Sequence, residues 1–147
     1  MIVNKKILKG MFWVLAGVFV FVNAIFLNVV LHELGHYAAA EHYGLEPEIE
    51  FNFEKAGDLG FGLESVPLAS TSFIDNGNEG ELRVIVLMGP FVNLLLGIMF
   101  LAGFVFFRGK RFVEEIGLIG MTVSFGSFIM NMLPIQGVDG SLIFGLI

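Results

Sequence analysis

With 147 residues, 56% of them hydrophobic, 17 phenylalanines and a formal net charge of −6, the chain is more apolar than a soluble core requires and reads as a membrane protein. The acidic balance argues against a nucleic-acid partner. The lack of cysteine excludes disulfides and thiolate metal sites, so any metal must be held by nitrogen and oxygen.

The apolar residues fall in three uncharged blocks, Met11 to Leu31, Val84 to Phe107 and Ile116 to Ile135. Each is long enough to cross a hydrocarbon layer of about 30 Å at about 1.5 Å per residue. The first block follows Lys5, Lys6 and Lys9 as a secretory signal would. It runs well past a signal core and has no small-x-small cleavage site before the histidines, so it belongs to the mature chain.

This first span, about 11–43, closes with VVLHELGHYAAAEHYG at 29–44. His32 and His36 stand i and i+4, about 40° apart around a helix, so both imidazoles leave one face and can hold one zinc ion. Glu33 lies about 100° round, where its carboxylate reaches water at the metal without having to ligate. HELGH is the HExxH pattern of metalloproteases. Read blandly, it is a helix end whose polar residues have reached the interface, yet ionisable groups at membrane depth are costly and point to function.

A catalytic zinc takes three protein ligands and keeps the fourth position open, so a third ligand is required. His42 matches the outer spacing of HExxHxxGxxH, but the turning glycine is replaced by Ala39 within a helix-favouring alanine run. On a continuing helix His42 points away from His36, and Gly44 reads as the helix stop. His42 is therefore an interfacial residue.

Between spans one and two, EIEFNFE at 48–54 alternates as a half-buried strand does, and GFGLESVPL at 60–68 supplies a second strand of a hairpin at about 47–68. ASTSFIDNGNEG at 69–80 is rich in turn formers and reads as an exposed loop. Span two covers about 84–107 and contains GPFVN at 89–93. Span three, about 112–147, includes NMLPIQGVDG at 131–140, where Asp139 is the only charged residue after Glu115. A lone carboxylate among apolar residues needs a partner. Span three returns Asp139 to the side of the bilayer that holds the histidines, which makes Asp139 the better third ligand.

HELGH, GPFVN and NMLPIQGVDG occur in the order seen in the site-2 protease family of intramembrane zinc metalloproteases, which the chain resembles over nearly its whole length. The resemblance implies a mainly α-helical, three-span core with a small membrane-associated β-hairpin. It also implies one zinc ion held by His32, His36 and Asp139, with Glu33 as the catalytic base. Asn93 and Asn131 match family positions near the site; hydrogen bonding between packed helices is their other reading. The family's aspartate segment more often carries a second proline and a leucine where this chain has Gln136, Gly137 and Val138. Pro134 and Gly137 still break the helix, as backbone lining a watery cavity can.

The function so implied is zinc-dependent cleavage of a transmembrane or membrane-anchored protein by metal-activated water, in a multi-pass protein of the cell membrane. A helical substrate has its carbonyls bonded internally, so the scissile segment must be unwound or held extended, and GFGLESV at 60–66 is the expected docking strand. A rival reading has the same residues binding or conducting a divalent metal without hydrolysis, and a third is a scaffolding membrane protein.

Topology stays open. Six of the eight bases lie at Lys5 to Lys9 and Arg108 to Arg111, so the positive-inside rule puts both segments in the cytosol and the acidic loop outside. In the family the HExxH end generally faces the cytosol. Met11 to Tyr43 as one helix is about 50 Å long, which calls for tilt, a kink or an interfacial section. The chain stops seven residues after Gly140 in apolar SLIFGLI, which reads as the start of a further helix and hence as a longer protein cut there.

Overall fold

The computed structural model describes residues 5–51, 68–135 and 138–145. Its elements are α1 (Lys5–His42), β1 (Glu48–Phe51), β2 (Ala69–Ser72), α2 (Glu79–Phe106), α3 (Arg111–Met132) and α4 (Asp139–Ile143). Helices α1, α2 and α3 are each long and apolar enough to cross a membrane.

Most of α1 turns large apolar side chains outward: Phe12, Leu15 and Phe19 are all more than half exposed, as lipid-facing residues would be. Its buried residues form one stripe, Ala24, Asn28, His32, Glu33, Gly35, His36, Ala39 and Ala40. That spacing follows one helix face, and it carries every polar group that enters the site from α1. The helix stops at Gly44, whose φ of 72° suits glycine. Gly44 N–H donates to the Glu41 carbonyl and Leu45 N–H to the Ala40 carbonyl, which satisfies the last turn in the Schellman pattern. Leu45 then folds back into a small core with Ala39, Ala40 and Ile85.

Helix α2 starts at Asn78, whose side chain accepts from the backbone N–H of Gly80 and Glu81. Helices α2 and α3 pack by fitting rings over glycines. Phe100 of α2 lies against Gly120, and Phe125 of α3 lies against Gly97; a Cβ on either glycine would approach the ring within 2.5–2.6 Å. Small residues of this kind let membrane helices approach closely where no hydrophobic force drives them together. At the start of α3, the Arg111 guanidinium lies 5.4 Å from the Trp13 ring centroid and ties α3 to α1.

Strands β1 and β2 pair antiparallel, with Glu48 opposite Ser72 and Phe51 opposite Ala69. The first expected strand begins where the alternation placed it, but its observed partner is Ala69–Ser72, within the segment read as an exposed loop. Alanine, serine and threonine carry little strand signal of their own; pairing with β1 and a side-chain bond from Thr71 to α1 hold them extended. The loop reading fits the residues after β2, where Asp75 and Asn76 side chains accept from the backbone of Gly77 and Asn78 in two tight turns. The expected second strand at 60–66 lies outside the described residues.

Helix α3 ends at Met132, and Leu133 is extended (ψ 142°) ahead of Pro134. Short turn bonds then carry the chain to α4: Val138 N–H donates to the Ile135 carbonyl and Ser141 N–H to the Val138 carbonyl. Gly140 sits so close to the end of α3 that an added Cβ would overlap the Leu133 carbonyl oxygen. This packing fixes where the first residue of α4, Asp139, points.

Candidate metal centre

Among the described residues, His32, His36 and Asp139 bring one ligand atom each to within 4.8 Å of one another. His32 and His36 come from successive turns of α1, with ring centroids 4.7 Å apart and planes at 85°. Their Nε2 atoms are 3.0 Å apart. Asp139 closes the triangle, with Oδ2 3.0 Å from His32 Nε2 and Oδ1 3.5 Å from His36 Nε2.

The chemistry of this donor set fits a divalent cation. Nδ1 of His36 lies 2.8 Å from the Ile85 carbonyl, which can only accept, so Nδ1 carries the proton and, in the neutral imidazole, Nε2 presents a lone pair. That lone pair faces a second imidazole nitrogen and a carboxylate oxygen. Asp139 Oδ2 is buried and makes no hydrogen bond of good geometry despite lying 3.0 Å from His32 Nε2. Two ring nitrogens and a carboxylate converging in this way are held together by a shared proton or a shared cation. Two nitrogens and one oxygen, without thiolate, are a donor set that suits zinc.

Glycine makes room for the cluster. A Cβ on Gly89 of α2 would overlap His36 Nε2 and lie 2.7 Å from His32 Cε1. A Cβ on Gly35 of α1 would lie 2.7 Å from the Met88 carbonyl oxygen. The two glycines therefore let the α1 and α2 backbones meet at the histidines.

Glu33 is buried beside the ligand set, and its Oε2 accepts from the Thr71 hydroxyl at 2.8 Å. Thr71 also lies 3.1 Å from the Glu33 backbone carbonyl, so β2 is pinned to α1 at this residue. A cavity of about 270 Å³ opens over the cluster, lined by His32, Glu33, His36 and Asp139 together with Ala69–Thr71 of β2 and Asn131. Asn93 is 1% exposed, with its side-chain amide nitrogen 3.0 Å from His32 Nδ1. His42 is exposed, stacks edge-on with Tyr43 and stands apart from the cluster. Thr71, Ile85, Gly35 and Gly89 carry no signal of their own in the sequence, although both glycines lie inside motifs that do.

Residues 20–120 match the model of peptidase family M50. The chain belongs to that family. The match includes His32, Glu33, His36 and Asn93 and stops before Asp139, whose place beside the histidines rests on the geometry above. The chain is also 30% identical over 124 residues to a protein of Methanocaldococcus jannaschii named zinc metalloprotease MJ0392. That alignment takes in 81% of this chain and 31% of the relative, so the chain spans about a third of that protein's length. No solved structure matches the chain. Family and fold together make it an integral membrane protein of M50 type, with three apolar helices and a two-stranded sheet among the described residues.

Proposed function

We propose that this chain is the core of a zinc-dependent intramembrane endopeptidase that cleaves a transmembrane or membrane-anchored protein, with its site formed by His32, His36, Asp139 and Glu33. The observation that carries the reading is the convergence of three ligand atoms next to a buried glutamate, in a chain whose helices are long enough to span a bilayer. His32 and His36 hold the ion through Nε2 and Asp139 through its carboxylate, one ion per chain. When bound, zinc supplies a Lewis acid that polarises the scissile carbonyl and makes water more acidic.

The protein's own groups do the rest. With Oε2 of Glu33 engaged by Thr71, Oε1 accepts a proton from the attacking water and returns it to the leaving amide nitrogen. The substrate has to arrive extended, because the carbonyls of a helix are bonded internally. Strand β2 lines the cavity beside Glu33, where an extended peptide laid along the sheet presents its backbone to the site.

The test uses chain purified in detergent, with zinc content measured and a membrane-anchored substrate offered to wild type, Glu33→Gln and Asp139→Ala. Glu33→Gln is expected to retain zinc and lose cleavage by on the order of 10²–10⁴-fold, the usual contribution of a general base. Asp139→Ala is expected to lose both. Zinc occupancy in the wild type without hydrolysis of any membrane-anchored substrate would favour a metal-binding protein instead.

A further inference from the structure

Two buried asparagines face one polar cavity of about 180 Å³ beside His32, lined also by Ser127 and Asn131. Asn28 lies one turn before His32 on α1, and its Nδ2 donates to the Ala24 carbonyl at 2.9 Å. That bond fixes which way the Asn28 amide points, and it leaves Oδ1 buried with no hydrogen-bond partner. On α2, Asn93 turns Nδ2 toward His32 Nδ1 at 3.0 Å, and its Oδ1 is likewise buried without a partner. So oriented, two unsatisfied carbonyl oxygens line one cavity, which is costly.

The oxygen and nitrogen of a side-chain amide are alike in size, and the hydrogen-bond network decides which is which. Turning the Asn93 amide by half a rotation removes the conflict. Oδ1 then accepts the Nδ1 proton of His32, and the amide nitrogen, a donor, takes the place of one of the two unsatisfied oxygens. The proton on Nδ1 leaves His32 Nε2 with its lone pair toward His36 and Asp139. This is the state that the Ile85 carbonyl imposes on His36. Ile85 and Asn93 stand about two turns apart on the same helix.

We propose that Asn93 is a positioning residue whose side-chain carbonyl accepts the Nδ1 proton of His32, so that α2 fixes the tautomer and ring orientation of both histidines through Asn93 and the Ile85 carbonyl. Metal-binding histidines are commonly held by such a bond at the far nitrogen, and its loss typically costs 10–100-fold in metal affinity. The proposal rests on the reading of His32 and His36 as ligands, and its test is chosen to fail separately from that reading.

The first measurement is nitrogen–proton NMR of histidine-labelled, chelator-treated chain in detergent, which reads the proton on each ring nitrogen directly. The His32 signal is assigned by its absence in His32→Gln. The expected result is a proton on His32 Nδ1 before any metal is added; a proton on Nε2 overturns the proposal. The second is zinc affinity by competition with a chelator. Asn93→Leu is expected to bind about 10–100-fold more weakly. Asn93→Asp, which can only accept, is expected to stay close to wild type. Wild-type affinity in Asn93→Leu, or equal losses in both variants, also overturns it. If Asn93→Leu does not fold, the tautomer of the wild-type chain decides alone. A wild-type chain that takes up no zinc removes the ligand reading itself, whereas a zinc-binding chain with the Nε2 tautomer removes only the role of Asn93.

Discussion

The Thr71 hydroxyl donates to Glu33 Oε2 at 2.8 Å across 38 residues of sequence, and with its 3.1 Å approach to the Glu33 carbonyl it joins the sheet to the cluster of His32, His36 and Asp139. It has two consequences for the proposed reaction: it leaves Oε1 as the carboxylate oxygen for the proposed proton transfer, and it ties the position of β2 to that of Glu33.

Thr71→Val keeps the shape and β-branching of the side chain and removes the donor. A hydrogen bond to a charged group is worth about 1.5–3 kcal/mol, so turnover is expected to fall by roughly tenfold or more while zinc content is unchanged. Thr71→Ser, which restores the hydroxyl, should recover most of the loss. If Thr71→Val cleaves like wild type, Thr71 does not position Glu33.

Gly89→Ala tests the close approach of α2 to the histidines. The added methyl would overlap the His36 ring and crowd that of His32, and neither ring can move without leaving Asp139. The variant is expected to lose zinc affinity by on the order of tenfold or more, as for other disruptions of ligand orientation. Overpacking of this kind also costs about 1–3 kcal/mol, visible as a lower midpoint of thermal unfolding in detergent. Unchanged affinity and stability together would show that α1 and α2 are further apart than the structure has them.

His42→Ala is the control that separates spacing from geometry. His42 satisfies the outer spacing of a three-histidine motif, yet its side chain is exposed and beyond the end of the buried stripe on α1. Zinc content and cleavage are expected to remain at wild-type levels, because surface substitutions away from a site change little. Loss of zinc in His42→Ala, with retention in Asp139→Ala, would reverse the ligand assignment.

The site was legible in the sequence to the extent that its chemistry resides in side chains at local spacing. HELGH fixes two imidazoles and a carboxylate on one helix, and Asp139 stands out as a lone charge after a broken apolar span. What could not be read depends on contacts made only by the folded chain. The Ile85 carbonyl that orients His36 is backbone, with no sequence signal at all. Thr71 sits in ASTS, whose residues look like turn formers until β1 pairs with them. Gly35 and Gly89 were in plain view within two motifs, but their importance lies in which helix each one meets. The same holds for Asn93, whose partner His32 is 61 residues away.

Gly140 connects the helix break to the proposed third ligand. Asp139 opens α4 only because the chain turns tightly against the end of α3, and a Cβ at position 140 would overlap the Leu133 carbonyl and come within 2.8 Å of the Met132 carbonyl carbon. In Gly140→Ala every proposed ligand is still present, but α4 must shift away from α3 and carry Asp139 with it. Zinc affinity is therefore expected to fall toward that of Asp139→Ala, by on the order of tenfold or more. Substitution of the neighbouring Ser141 by alanine removes only a bond from its hydroxyl to the Val138 carbonyl and should leave zinc nearly unaffected. Titrating the two variants against the same chelator distinguishes the cases: equal affinities would mean that Asp139 is held by something other than the packing of Gly140 on the end of α3.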